Sequence, residues 1–186
     1  MAFKEWAVVV DALGQGDQIL IFRKGGISEG RGGFQIEHNE FFLFPTLFHQ
    51  QRESVLPPAQ ARYDLIAPGL SPDVVRLEYF ARVVDWKLLD SLESALRLHG
   101  QHVWRDEVIR ERFDWGKTKS IYAMAVRVFR LAHAVELPTR PEYGGCKSWL
   151  ELAEAVPPTG EPVLTDTEFN EKLKRFHAAL EPAAAL

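Results

Sequence analysis

The chain has 186 residues, of which 46% are hydrophobic and 26% are charged, close to the averages for globular proteins. This length fits one domain, or one domain with a helical extension, and the composition excludes wholesale disorder. The formal net charge of −4 gives no overall basic field, so binding of nucleic acid would need a local basic patch. We expect a cytoplasmic protein with no membrane contact, because no apolar run approaches the roughly 20 residues of a membrane span and the first residues do not form a secretory leader.

The first third of the chain predicts short strands separated by glycine-containing turns. Apolar, β-branched runs at 6–13 and 18–24 flank a loop with two glycines, which is typical of an antiparallel hairpin. The stretch from Gly25 to Gly33 is rich in glycine and predicts a loop. After it we expect, in chain order, strands at 34–38 and 40–44, a stop to the sheet at Pro45, and a helix at 47–55 capped by Thr46.

The middle of the chain predicts two long strands around two short helices. Prolines and the lack of a hydrophobic period indicate a surface connection from 57 to 72. Residues 76–89 alternate as a strand with a bulge near Val84. We then expect helices at 92–99, capped by Asp90 or Ser91, and at 104–113, followed by the longest strand at 120–137.

The C-terminal part predicts two helices joined by a linker. The first helix is expected at 147–155, and the proline-rich residues 157–162 are expected to form the linker. Thr165 and Glu168 have the spacing of a capping box, and an apolar stripe follows on one helical face: Phe169, Leu173, Phe176 and Leu180. We therefore divide the chain into a domain at 1–156 and a linker with an amphipathic helix at 157–186.

Single helices placed between strands, without strict alternation, indicate an α+β fold. We expect a small mixed, largely antiparallel β-barrel or strongly bent sheet with flanking helices, plus the C-terminal helix. By strand number and size this resembles the PUA and ASCH class in outline. The glycines after residue 24 do not form a dinucleotide-binding fingerprint, so no cofactor is expected.

Two basic stretches are the candidate nucleic-acid contacts. Arg23 and Lys24 precede the glycine-rich loop, where backbone amides can converge on an anion. Arg127 and Arg130 lie in a stretch between Asp114 and Glu136 that contains no carboxylate. Guanidinium groups bind phosphate or stack on bases, and Trp115 and Tyr122 offer aromatic planes nearby. The alternative is that these cations are solvated edge charges or pair with neighbouring carboxylates.

Pro72-Asp73 followed by Asp85-Trp86-Lys87 has the residue types of a restriction-nuclease site, in which two acids bind Mg²⁺ and a lysine contacts the attacking water. No turn-forming residue lies between the two acids. One extended strand would hold them about 40 Å apart, so we interpret the match as chance unless a hidden turn brings them together.

Cysteine and histidine residues suggest two further alternatives. Cys146 follows two glycines at an expected helix start, where amide dipoles lower a thiol pKa, and a thiol hydrolase would pair it with His49 or His102. The histidine spacing matches no compact zinc site, so we expect no metal.

Several segments in order resemble one bacterial family: Lys4-Glu5-Trp6, residues 22–27, Phe44-Pro45-Thr46 with His49-Gln50, His102-Val103-Trp104, residues 112–115, residues 127–131 and residues 143–149. The chain resembles the domain of unknown function 1802 over about residues 4–152. The family name implies no reaction, and the resemblance implies a restriction or nucleic-acid-processing context.

We therefore expect a non-catalytic module that recognises RNA or modified DNA. Its phosphate contacts would be Arg23, Lys24, Arg127 and Arg130, its stacking residues Trp104 and Trp115, and its base contacts His49 or Gln50. This hypothesis requires Arg23 and Arg127 to line one hollow. The alternatives are a metal-dependent nuclease, a thiol hydrolase, or a protein-interaction subunit that docks a partner through its C-terminal helix.

Overall fold

A computed structural model describes residues 1–24, 38–47, 51–145 and 147–181. Several predicted features lie outside these residues: the glycine-rich loop, most of the strand at 34–38, His49, Gln50, Cys146 and the last five residues. No helix among the described ranges is long and apolar enough to cross a membrane.

Seven strands of the described chain form one sheet: β1 (Ala2–Trp6), β2 (Leu20–Arg23), β3 (Glu40–Thr46), β4 (Val74–Leu89), β5 (Ile121–Pro138), β6 (Trp149–Leu150) and β7 (Gly160–Pro162). The strand order is β2-β5-β4-β3-β1-β6, and β7 also pairs with β5. All pairs are antiparallel except β1 with β3. The α+β class and the largely antiparallel sheet are confirmed, and the sheet is open because β2 and β6 form its two edges.

In the part of the chain that the structure describes, five α-helices accompany the sheet: α1 (Ala7–Gly14), α2 (Pro57–Ile66), α3 (Leu92–Leu96), α4 (Asp106–Asp114) and α5 (Asp166–Leu180). Ser91 caps α3 by accepting a hydrogen bond from the backbone N–H of Ser94, one of the two caps expected. The capping box of Thr165 and Glu168 is present at the start of α5, as predicted.

The long strands β4 and β5 are confirmed, and they pair along nearly their whole lengths. Their register shifts between Val83 and Asp85, where the alternation of the sequence predicts a bulge at Val84. A second shift lies between Leu77 and Tyr79. These bulges bend the pair, which helps an open sheet to curl around its core.

The predicted hairpin at 6–13 and 18–24 is wrong for its first strand. β1 ends at Trp6, and the β-branched residues that follow form α1, with Val8, Val9 and Val10 all buried. Burial around the helix removes the polar face that would have marked its period, so the run looked like an interior strand.

The predicted connection at 57–72 contains α2 and a short 3-10 helix at Ala67–Gly69. Pro57 and Pro58 stand in the first turn of α2, where a missing backbone N–H costs nothing. The expected helix at 47–55 is wrong over its described part, since residues 51–54 form turns and Val55 makes an isolated bridge to Trp104.

The C-terminal part is tied to the sheet more closely than expected. Residues 149–150 form β6 in place of the predicted helix, and Gly160–Pro162 of the predicted linker form β7 against β5. The stripe on α5 is confirmed, because Phe169 and Phe176 are buried in the main core. The division at residue 156 stays a prediction.

Candidate nucleic-acid interface

The two edges of the curled sheet approach each other at Arg23, the last residue of β2. Its Nε donates a hydrogen bond to Ser148 Oγ at 2.8 Å, just before β6, and its Nη2 donates to the Lys4 carbonyl of β1 at 3.3 Å. The guanidinium also lies over the Phe3 ring, 4.9 Å from its centroid. One side chain therefore bridges the gap that keeps the sheet open.

Arg112 brings a second guanidinium to the same gap from α4. It lies 4.8 Å from the Trp6 ring centroid and 5.1 Å from that of Trp104, and its Nη1 donates to the Phe22 carbonyl at 3.3 Å. Burial lowers the pKa of Arg112 to about 10, the Glu5 carboxylate opposes this shift, and the charge of Arg23 adds to it. Arg112 nevertheless stays protonated at neutral pH.

Glu5 is the carboxylate of this region, and it is only 1% exposed. Its Oε1 accepts a hydrogen bond from the Trp6 backbone N–H at 2.8 Å, whereas Oε2 is buried and has no hydrogen-bond partner among the described residues. Alternation along β1 puts Glu5 on the same face as Phe3, on whose ring Arg23 lies. Glu5, Arg23 and Arg112 are called the edge-gap cluster below.

Lys24, the residue after Arg23, binds three backbone carbonyls next to this cluster. Its Nζ donates to the carbonyls of Phe113, at 2.9 Å, and Ser120, at 2.7 Å, and also to that of Thr118. Burial lowers the pKa of Lys24, and the charge of Lys119 lowers it further while Asp114 opposes the shift. The loop that carries Trp115 is thus held against the end of β2.

An exposed aromatic surface begins one strand away from Arg23. Arg23 pairs in register with Tyr122 of β5, and Tyr122 pairs with Leu88 of β4. The Trp86 ring lies 5.8 Å from that of Tyr122, and Trp86 is 47% exposed. Trp86, Leu88 and Tyr122 are called the aromatic surface below, and Trp115, 49% exposed, stands in the loop held by Lys24.

The predicted stacking role of Trp104 is wrong. Trp104 is fully buried, 5.5 Å from the Phe22 ring centroid and 5.7 Å from that of His102. A base cannot reach a ring that has no exposed face. Trp104 instead supports the guanidinium of Arg112 from below.

The predicted convergence of Arg23 with the arginines of β5 is also wrong. Arg127 pairs with Asp166 at the start of α5 and lies over Phe169, and Arg130 donates to the Gly14 carbonyl and lies over Tyr79. Arg23 pairs with Tyr122, and Arg127 lies five residues further along β5, on the opposite face of the strand. Arg127 and Arg130 fix α5 and α1 to the sheet.

The two acids of the nuclease alternative do not come together, because no turn interrupts the chain between Asp73 and Asp85. Asp73 directly precedes β4 and Asp85 lies within β4, twelve residues later, which corresponds to roughly 40 Å. Asp85 Oδ2 lies 2.8 Å from His177 Nε2 and 4.0 Å from Lys87 Nζ. Across the described ranges, no group of three or more His, Cys, Asp or Glu residues is arranged to hold a metal ion.

The histidine available to the thiol alternative is His102, which is only 5% exposed. Burial lowers its pKa to about 4. His49 and Cys146 lie outside the described residues, so the thiol hydrolase stays an untested hypothesis.

Sequence reasoning overlooked three residues of this region: Glu5, Trp86 and Arg112. Arg112 follows the buried Ile109 by three positions, a helical spacing that places it beside the apolar face of α4. Trp86 shares a strand face with Val84 and Leu88, each about half exposed. Glu5 belongs to the Lys4-Glu5-Trp6 segment of the family resemblance, but that segment does not show what surrounds its carboxylate.

The family model described as Domain of unknown function (DUF1802) matches residues 2–175. The chain belongs to this family. The DUF1802 match extends beyond the expected end at residue 152 and includes β7 and much of α5. It therefore covers every residue of the edge-gap cluster and the aromatic surface.

Two crystal structures of variants of the ZmASCH protein from Zymomonas mobilis are similar to this DUF1802 chain, each at 13% sequence identity. The first has a TM-score of 0.43 and covers 93% of this chain and 94% of its own. The second has a TM-score of 0.44 and covers 93% and 92%, respectively. No curated protein matches the chain by sequence.

Proposed function

We propose that this protein is a non-catalytic module that binds single-stranded nucleic acid across the aromatic surface and the edge-gap cluster. The observation that carries this proposal is the half-exposed Trp86 ring beside Tyr122, whose strand partner is Arg23. Proteins that bind single strands combine aromatic side chains, on which bases stack, with cations that contact the phosphates.

Stacking supplies the sequence-tolerant part of the affinity. A base on an aromatic side chain contributes about 1–3 kcal/mol, and Trp86 has the larger exposed ring of the aromatic surface. Trp115 offers a further plane across the end of β2. The predicted stacking role of Trp115 is therefore retained, and Trp86 replaces Trp104.

Lysines beside these rings supply the phosphate contacts. Lys87 follows Trp86 directly, and Lys117 and Lys119 follow Trp115 in the loop before β5. Lys119 pairs with Asp114 at 2.7 Å, and Lys87 lies 4.0 Å from Asp85, so a phosphate must compete with these carboxylates for the two lysines. Because the phosphate contacts are ionic, binding should weaken as the salt concentration rises.

The test compares two substitutions of one ring in fluorescence anisotropy titrations with labelled oligouridylate and oligodeoxythymidylate at low salt. Trp86→Phe keeps an aromatic plane and should retain most of the affinity. Trp86→Leu keeps an apolar side chain without the plane and should weaken binding about tenfold or more. Failure of the wild-type protein to bind either strand, or equal binding by the two variants, would contradict the proposal.

A second candidate function is docking of a protein partner, as the interaction-subunit alternative holds. Val84 and Leu88 flank Trp86 on its strand face, and all three are about half exposed. Contiguous apolar surface of this kind is typical of protein interfaces. If the partner is a second copy of the chain, analytical ultracentrifugation should show that the wild-type protein and Trp86→Leu self-associate and that Leu88→Lys does not.

A further inference from the structure

The guanidinium groups of Arg23 and Arg112 keep most of their hydrogen-bonding capacity unused. A guanidinium has five N–H donors. Among the described residues, Arg112 donates to the Phe22 carbonyl, and Arg23 donates to Ser148 Oγ and the Lys4 carbonyl. Neither group forms an ion pair with a described carboxylate. The two cations lie near each other, because Arg112 donates to the carbonyl of the residue before Arg23 and the charge of Arg23 acts on Arg112.

Stacking on aromatic rings fixes the positions of both guanidinium groups, so the donors are oriented before any ligand binds. Phe3 lies under Arg23, and Trp6 and Trp104 lie against Arg112. Both arginines are partly buried, so their charges are less screened than those of surface lysines. A forked donor that is already oriented loses little entropy when it binds an oxyanion.

Glu5 sets the net charge that the site can accept. It is almost completely buried, its Oε2 accepts no hydrogen bond from the described residues, and its field acts on Arg112 without a direct ion pair. The nearby Lys4 and Lys24 also carry positive charge, and their ammonium groups donate to backbone carbonyls. The edge-gap cluster itself contributes two positive charges and one negative charge, so an anion bound there is attracted by the guanidiniums and repelled by the Glu5 carboxylate.

We propose that Arg23 and Arg112 together bind one internal phosphodiester group of a nucleic-acid strand, and that Glu5 selects against terminal phosphates. The inference rests on the proposed function, because the strand must lie across the neighbouring aromatic surface. A phosphodiester carries one negative charge, whereas a phosphate monoester carries about −1.5 to −2 at neutral pH. The second charge of a monoester would be repelled by the buried Glu5 carboxylate.

The chain offers a matched control for the arginines. Arg110 lies on α4 two positions before Arg112, is exposed, and has the same type of side chain. Arg110→Gln removes the same charge from the same helix without touching the edge-gap cluster. Arg112→Lys is a second variant, which keeps the positive charge and removes the fork in case Arg112→Gln fails to fold.

The experiment measures competition against a labelled oligouridylate by uridylyl-uridine, which has one phosphodiester, and by uridine 5′-monophosphate, each up to millimolar concentration. For the wild-type protein we expect the diester to compete about tenfold better than the monoester. Arg23→Gln, Arg112→Gln and Arg112→Lys should weaken competition by the diester, whereas Arg110→Gln should not. Glu5→Gln should strengthen competition by the monoester and thereby reduce the preference of the protein for the diester over the monoester.

The outcomes separate this inference from the proposed function. A wild-type protein that binds no oligonucleotide refutes both. Tight oligonucleotide binding that is unchanged in the Arg23 and Arg112 variants refutes the phosphodiester site and leaves binding at the aromatic surface standing. A failure of the diester to compete likewise refutes only the phosphodiester site. A preference for the monoester, or a preference that Glu5→Gln leaves unchanged, refutes the selective role of Glu5.

Discussion

Protonation of His102 should destabilise the protein in mildly acidic solution. The His102 ring is only 5% exposed and lies 5.0 Å from the Phe22 ring centroid, edge to face. Burial lowers its pKa to about 4, the neighbouring Asp106 carboxylate opposes this shift, and the charges of His99 and Arg112 add to it. The folded protein therefore keeps the imidazole neutral at a pH where an unfolded chain protonates it.

The sign and size of the effect follow from these two states. In the unfolded chain the pKa of a histidine is about 6.5, so between pH 6.5 and pH 4 the unfolded state binds a proton that the folded state rejects. The free energy of unfolding thus falls as the pH falls through this window. The contribution of His102 is a loss of about 2 kcal/mol at pH 5 and about 3 kcal/mol at pH 4.

Urea unfolding at pH 7 and pH 5 measures this contribution directly. His102→Gln removes the titrating group and should lose less stability between the two pH values than the wild-type protein. His133→Gln replaces an exposed histidine of β5 and should behave as wild type. Equal losses of stability in wild type and His102→Gln would refute the claim that His102 is held neutral by burial.

Three further predictions concern β7, the C-terminal part of the chain and the loop between α4 and β5, which carries Lys117. Gly160→Ala should lower the unfolding free energy by about 1–3 kcal/mol in urea titrations, because a Cβ atom there would lie 2.0 Å from the Arg130 carbonyl oxygen; Gly69→Ala, with no atom within 4 Å, should be neutral. Truncation after residue 156 removes the two buried phenylalanines of α5 and should abolish the cooperative thermal transition in circular dichroism, whereas a cooperative transition would support a separate domain at 1–156. Lys117→Gln should reduce the slope of log affinity against log salt by about 0.7 for a single strand, and Lys174→Gln on α5 should leave that slope unchanged.

Local patterns predicted the elements whose signal is contained in their own residues. The alternation of β4 changes at Val84, where the register shift lies, because a bulge moves the side chains to the other face. The capping box of α5 likewise needs only Thr165 and Glu168 at their spacing. By contrast, α1 is buried on nearly all sides, so its residues show no helical period and resemble a strand.

The candidate site depends on residues that are distant in sequence, and this limited its prediction. Arg23 was predicted as a phosphate contact, since it follows a strand and precedes glycines. The arginine near it is Arg112, 89 positions later, whereas Arg127 pairs with Asp166. The sequence does not show which of several arginines lies with Arg23 at the gap between the two sheet edges, because that depends on how the sheet curls.

The sequence by itself determined the α+β class, the two long strands, the bulge and the amphipathic C-terminal helix, since each is encoded by the periodicity and capping of neighbouring residues. Only the tertiary structure decided that Trp104 is buried while Trp86 is exposed, although both are tryptophans in apolar surroundings. It also decided that the Glu5 carboxylate is buried where its charge acts on Arg112. The reason is physical: exposure and electrostatic environment depend on what the rest of the chain packs against a residue, which its sequence neighbours do not specify.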